Sequence, residues 1–258
     1  MREGTMIDNG GALGDGVSSA RMSHFVLVHG SWHGSWVWDR VAPLLAEDGH
    51  RVVAPDLPGR GDDPRPPSSI TLDDHVARVL ESVDEAPSPA ILVGHSFGGF
   101  VISHVAEAVP ERVGLLVYLA AFLLRRGESV FSVATSVPPV VPHLEVREQE
   151  GLVAILPHAA REVFYNDCSA EDAASSAARL VPEALAPRRT PASVTEARFG
   201  RIPRVYVETT RDRGLQPVLQ KRMHAGSPCR EVASLWSGHS PFLSMPERLA
   251  ALLRGWGR

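Results

Sequence analysis

Short apolar runs recur along the chain, each closed by a polar or glycine-rich break and followed by a stretch with helical spacing. Phe25-Val26-Leu27-Val28 is the first run and ends at His29-Gly30. Val37 to Leu45 has helical spacing, and Arg51 to Ala54 is the next strand-like run. Pro55 to Gly61 closes that run, and the segment Asp62 to Ser69 is too rich in proline and charge for a regular element. Thr71 reads as a helix N-cap, with Asp74 in the capping-box position and Val76, Val79, Leu80 and Val83 on the apolar face. Ala90-Ile91-Leu92-Val93 is apolar on both faces, as a parallel strand covered by helices should be. A helix over Phe97 to Ala108 follows and stops near Pro110. Gly114 to Leu119, Ile202 to Val207 and Arg230 to Trp236 read as further strands, and Pro246 to Leu253 as a closing amphipathic helix. This alternation predicts an α/β fold with a mostly parallel sheet flanked by helices.

The interval 123–200 interrupts the rhythm with proline pairs and an alanine-rich stretch, and contains no convincing strand. It reads as a helical cap over the carboxyl ends of the sheet, where ligands bind in α/β folds. The expected organisation is a flexible leader over 1–21, a core in two parts over 22–122 and 201–258, and the cap between them.

Composition narrows the function classes. A chain of 258 residues can bury roughly 70–75% of its unfolded surface, so no disulfide or metal staple is required. With 26 Lys and Arg against 30 Asp and Glu, the formal net charge of −4 offers no electrostatic footprint for nucleic acid or an anionic membrane. Cys168 and Cys229 are too few for a disulfide framework and form no CxxC pair. The leader lacks the apolar core of a secretory signal and there is no run of 18 apolar residues, so a cytoplasmic protein is expected. His29 and His33 are four apart but outside any H-E-x-x-H pattern, and Asp56, Asp62, Asp63, Asp73 and Asp74 read as solvated loop and cap carboxylates. No P-loop lysine and no G-x-G-x-x-G after a strand are present, so neither a metal nor a cofactor is expected.

Gly94-His95-Ser96-Phe97-Gly98-Gly99 matches G-x-S-x-G directly after a strand and directly before a helix. A serine in so tight a turn needs small neighbours, and the turn lifts its Oγ clear of the sheet. Ser96 is the candidate nucleophile. Serine needs a base at neutral pH, and His239, in the loop Trp236 to Phe242, is the candidate. His24 and His50 are expected at exposed strand ends, whereas His33 and His95 lie close to the site. Asp212, after the strand Ile202 to Val207, is the favoured acid to orient His239, with Glu208 as its rival. The backbone N–H groups of Ser31 and Phe97 are the candidate oxyanion donors. Gly30, Trp32, His95 and Phe122 are placed around a substrate pocket, with Phe131, Val137 and Val140 as further apolar material; Trp36 and Trp38 are equally suited to the core.

These motifs resemble the α/β-hydrolase superfamily, in the branch of plant methylesterases, hydroxynitrile lyases and related bacterial esterases. The likeness extends from Phe25 to about Leu253 and is carried by FVLVHGSWHGSWVW, VVAPDLPGRGDD, ILVGHSFGGFV, FYNDCSAEDA and SGHSPFLSMPERLAALL. It implies an α/β-hydrolase fold with a small helical cap inserted after the sixth strand. It also implies nucleophile, acid and base roles for Ser96, Asp212 and His239, and oxyanion donors at Ser31 and Phe97. Phe164 and Tyr165 fall in a cap segment that faces the pocket or packs within the cap. The lyases of the branch carry a lysine directly after the catalytic histidine; here that residue is Ser240.

The expected activity is hydrolysis of a carboxylic ester of a small, largely apolar substrate through an acyl-enzyme, in a protein that forms a homodimer by association with its class. The alternatives on the same fold are a lactone-opening or natural-product-tailoring hydrolase, C–C cleavage of the hydroxynitrile-lyase type, and a non-enzymatic small-molecule binder.

Overall fold

The computed structural model describes residues 22–61, 63–85 and 89–257. The expected leader, 1–21, and Asp62 lie outside them. Six strands form one parallel sheet: β1 (His24–Val28), β2 (Arg51–Val53), β3 (Ala90–His95), β4 (Val113–Leu119), β8 (Arg204–Thr209) and β9 (Glu231–Leu235), in the order β2-β1-β3-β4-β8-β9. Each apolar run read from the sequence forms one of these strands, with ends that differ by a residue or two.

Side-chain alternation divides the core into two layers. Phe25, Leu27, Ile91, Val93, Val205 and Val207 face one side of the sheet, against Val41, Leu45, Leu249 and Leu253. Val26, Val28, Leu92, Leu116 and Tyr206 face the other, against the helices Leu72–Asp84 and Phe97–Ala108. The first of those helices starts where the capping signal predicts. Thr71 Oγ1 accepts the Asp74 N–H at 3.2 Å, and Asp74 Oδ2 accepts the Thr71 N–H at 2.8 Å. The helical spacing over Val37–Leu45 resolves into two pieces, a 3-10 turn at Ser35–Trp38 and a helix at Ala42–Ala46, with Pro43 in the first turn of the second.

The order of the sheet positions everything functional. From β1 the chain turns outward to β2, then returns to the other side of β1 as β3. The carboxyl ends of β1 and β3 therefore open onto the crevice at a topological switch point, the place where open α/β sheets bind ligands.

The insert departs from expectation in two respects. Among the described residues it follows the fourth strand in chain order, not the sixth, because only β1 to β4 precede it. Nor is it purely helical: β5 (Leu144–Arg147), β6 (Leu152–Ile155) and β7 (Glu183–Ala184) form a small antiparallel sheet. These strands are too short for a period-2 pattern to stand out, and β5 is largely exposed, so no apolar run marks it. The cap has its own core of Val153, Val163, Phe164, Tyr165 and Leu185, into which Trp32 inserts from the loop after β1. Trp32 Nε1 donates to the Val153 carbonyl at 3.0 Å, and the Trp32 carbonyl accepts the Val181 N–H at 3.1 Å. One aromatic side chain thus ties the cap to the core. No helix among the described residues is long and apolar enough to cross a membrane.

Two helical glycines predict opposite responses to alanine. A Cβ on Gly98 would stand 2.5 Å from the Val28 carbonyl oxygen, against backbone that cannot yield cheaply, whereas one on Gly255 would meet nothing within 4 Å. A helix gains up to about 1 kcal/mol from Gly→Ala, and overpacking costs about 1–3 kcal/mol. Gly255→Ala should therefore raise the thermal midpoint slightly, and Gly98→Ala should lower it by several degrees. Scanning fluorimetry of the two variants tests this pair of signs.

Candidate active site

Ser96 occupies the turn between β3 and the helix Phe97–Ala108, with φ +51° and ψ −119°. A residue with a side chain at positive φ is strained by about 1–3 kcal/mol unless its surroundings hold it there. Here they do. Its N–H donates to the Leu119 carbonyl at 3.2 Å, and its carbonyl accepts the N–H groups of Gly99 at 3.1 Å and Phe122 at 3.0 Å. Glycine is required on two sides. A Cβ on Gly94 would stand 2.6 Å from the backbone of Gly98, and one on Gly30 would stand 2.7 Å from the Ser96 Cβ.

His239 lies in the loop after β9 and is buried. Its Nδ1 is 2.8 Å from Asp212 Oδ2. That carboxylate oxygen also accepts from Thr209 Oγ1 at 2.8 Å and Gln220 Nε2 at 3.1 Å, while Oδ1 accepts the N–H groups of Gly214 and Leu215, both at 2.8 Å. Both carboxylate oxygens of Asp212 are thereby held by other donors, which fixes the side chain beside Nδ1 of His239. Glu208, the rival acid, is engaged elsewhere: it pairs with His224 at 2.8 Å and accepts from Ser234 at 3.1 Å. The main chain of the histidine loop is also held from the cap, where Asp167 accepts the Gly238 N–H at 2.7 Å.

Ser96 and His239 open onto one cavity of about 620 Å³ beneath the cap. Trp32, Phe122, Val137, Phe164, Leu215 and Leu219 supply apolar walls. Trp32, Phe122 and Phe164 all line the cavity, and Phe164 packs on the His239 ring with centroids 5.4 Å apart. Gly30, His95 and Tyr165 stand behind the wall. Gly30 abuts Ser96, and His95 is fully buried with Nε2 3.0 Å from the His239 carbonyl. Tyr165 is fully buried, its hydroxyl 2.8 Å from His33 Nε2. Ser31 is also buried, and its carbonyl lies 2.7 Å from His33 Nδ1. Phe97 begins the helix after Ser96. Val140 is exposed, Phe131 lies under Arg189 rather than at the cavity, and Trp38 joins the core.

Other residues at the site carried no signal in one sequence. His143, Pro138 and Arg188 line the cavity from the cap, and Gln220 and Thr209 support Asp212. Their partners lie far away in sequence, so only the folded chain brings them together. His24 and His50, expected exposed, are buried. His24 Nε2 meets the Ser82 carbonyl at 3.2 Å, and His50 packs edge-on against Phe25. Cys168 and Cys229 are unpaired, and burial pushes the Cys168 thiol up to about 12. Among the described residues no group of three His, Cys, Asp or Glu could hold a metal ion.

Comparison with known proteins adds to this geometry. The Alpha/beta hydrolase family matches residues 25–252. A carbendazim hydrolyzing esterase of Nocardioides sp. (strain SG-4G) is 32% identical over 250 residues, covering 92% of this chain and 100% of that protein. A putative chloroplastic methylesterase 11 of Arabidopsis thaliana is 30% identical over 245 residues, covering 90% of this chain but 63% of that longer protein. Among solved structures, a pyrethroid hydrolase from Sphingobium faniae JZ-2 superposes with a TM-score of 0.79 at 28% identity, covering 92% of this chain and 97% of that one.

The buried histidines make stability pH-dependent. Burial lowers His33 to about 3 and His75 to about 4, and holds His29 and His95 well below the usual 6.5. As pH falls through 6.5 the unfolded chain takes up protons that the folded chain refuses. Stability is therefore full above that pH and is lost progressively towards pH 3–4, by at most about 1.4 kcal/mol per pH unit for each histidine. The thermal midpoint should be flat between about pH 7 and 8 and fall steeply below about pH 6, ahead of most carboxylate titration. A midpoint unchanged down to pH 5 would contradict the neutral buried histidines.

Proposed function

The chain belongs to the α/β-hydrolase family, and from that premise we propose that it is a carboxylic ester hydrolase acting through an acyl intermediate on Ser96. The observation that carries the reading is the convergence of Ser96 and His239 on one cavity while His239 Nδ1 is bonded to Asp212. The named activities of the similar esterases support the same reaction class.

In this mechanism His239 takes the Ser96 proton at Nε2, and Oγ attacks the ester carbonyl. The N–H groups of Ser31 and Phe97 bind the oxyanion, aided by the amino end of the helix that starts at Phe97. Asp212 holds the imidazole in the tautomer with Nε2 free, and stabilises the imidazolium once it forms. His239 then protonates the leaving alcohol. A water entering in its place is deprotonated by the same Nε2 and releases the acid. Because every step needs only these groups and water, the reading calls on no metal or cofactor. The apolar cavity walls suit a small, largely apolar substrate. Ser240 stands at the position of the lyases' lysine and brings a neutral hydroxyl in place of a cation, which disfavours cyanohydrin cleavage.

Activity on short-chain p-nitrophenyl esters tests the proposal. Ser96→Ala and His239→Ala should each lower kcat/KM by roughly 10³-fold or more, and Asp212→Asn by roughly 10²–10⁴-fold, with native circular dichroism retained. Turnover that survives Ser96→Ala, or cyanohydrin cleavage in place of ester hydrolysis, would overturn it.

A further inference from the structure

The cavity beside Ser96 is mostly apolar, with scattered neutral polar groups and a single formal charge. Among the described residues that line it, Arg188 is the one Asp, Glu, Lys or Arg. It projects from the short cap helix Leu185–Arg189, is 4% exposed, and stacks its guanidinium 4.8 Å over the Trp32 ring. A guanidinium offers five N–H donors in a rigid fork and keeps its charge at any physiological pH. Burying it is costly unless those donors find acceptors.

The protein meets only part of that demand. Both bonds of Arg188 leave from Nη1, to Ser31 Oγ at 2.6 Å and to Glu183 Oε1 at 3.0 Å. Among the described residues, its Nε and Nη2 donate to no protein atom. Arg60, the other buried guanidinium on the same carboxylate, is the contrast. Its Nε donates to the His33 carbonyl, its Nη1 to the carbonyls of Gly59 and Pro182, and its Nη2 to Glu183 Oε2. Every nitrogen of Arg60 is used, and Arg60 does not line the cavity. Glu183 divides its charge between two cations and also accepts the Trp32 N–H at 3.3 Å. His143 shares the cavity wall with Arg188. Burial and the nearby Arg188 charge both lower its pKa, so it adds no charge near neutrality.

We infer that the unused edge of Arg188 recognises a carboxylate on the acyl part of the ester substrate, which makes half-esters of short dicarboxylic acids the preferred class. This rests on the reading of Ser96 as an esterase nucleophile. Position follows from connectivity. Arg188 grips the hydroxyl of Ser31, the residue whose N–H is assigned to the oxyanion, so the acid group lies a few bonds from the scissile carbonyl. A carboxylate can accept two parallel N–H bonds from a guanidinium edge, and a buried site strengthens such bonds relative to water. Phe122, Val137 and Leu215 enclose the methylene chain.

The test is kcat/KM for monomethyl succinate against methyl 4-methylpentanoate, whose isopropyl end matches the carboxylate in shape. The native enzyme should favour the acidic ester by roughly 10- to 100-fold, the range for a hydrogen bond to a charged group. Arg188→Met should bring that ratio to about one or below, and Arg188→Lys, a point charge without the fork, should leave an intermediate ratio. A native ratio of one or less overturns the inference whether or not either variant folds, as does a folded Arg188→Met that keeps the preference. Ser96-dependent cleavage of the neutral ester without preference for the acidic one sinks this inference alone. Failure to cleave either methyl ester or any p-nitrophenyl ester removes the esterase reading beneath it.

Discussion

The backbone at Ser96 is the constraint on which the rest of the site depends. A positive φ in a residue with a side chain persists only where neighbours leave no alternative, and here the chain is wedged between the ends of β1, β3 and β4. Gly30, Gly94 and Gly98 give the space, and the backbone bonds to Leu119, Gly99 and Phe122 close it. The hydroxyl is thereby lifted to the carboxyl edge of the sheet. The loop after β1 passes directly beside it, with Gly30 against Ser96. The loops after β8 and β9, two and three strands along from β3, bring in the carboxylate and the imidazole.

The cap converts this edge into an enclosed site. Trp32 belongs to the core by sequence and to the cap by packing, so the loop that approaches Ser96 and the wall of the cavity share one packed cluster. The buried ions follow the same division. Arg60 joins the core loop to the cap strand through Glu183 and Pro182, and each of its nitrogens donates to a protein acceptor. Arg188, on the same carboxylate, faces the cavity with donors to spare. Two guanidiniums on one carboxylate thus differ in how many of their nitrogens the protein itself engages.

The legible parts of the sequence are those whose signal is local. β3 and the serine turn show as an apolar run ending in G-x-S-x-G, and the helix Leu72–Asp84 shows in its capping box. The order of serine, acid and histidine along the chain, together with the family likeness, was enough to point to Asp212, and the structure puts that carboxylate and not Glu208 on His239. What stayed hidden depends on contacts distant in sequence. β5 and β7 are short strands that exist through pairing with β6, and Arg188 meets Ser31 across 157 positions. His24 and His50 looked like exposed strand ends because one sequence does not show that Ser82 and Phe25 cover them.

Covalent labelling by a fluorophosphonate, with peptide mass spectrometry to locate the adduct, tests the central claim most directly. The account predicts rapid labelling of the native chain at Ser96, absent from Ser96→Ala and strongly slowed in His239→Ala. A folded native chain that stays unlabelled, or that carries the adduct at another residue, would contradict an activated serine at this turn.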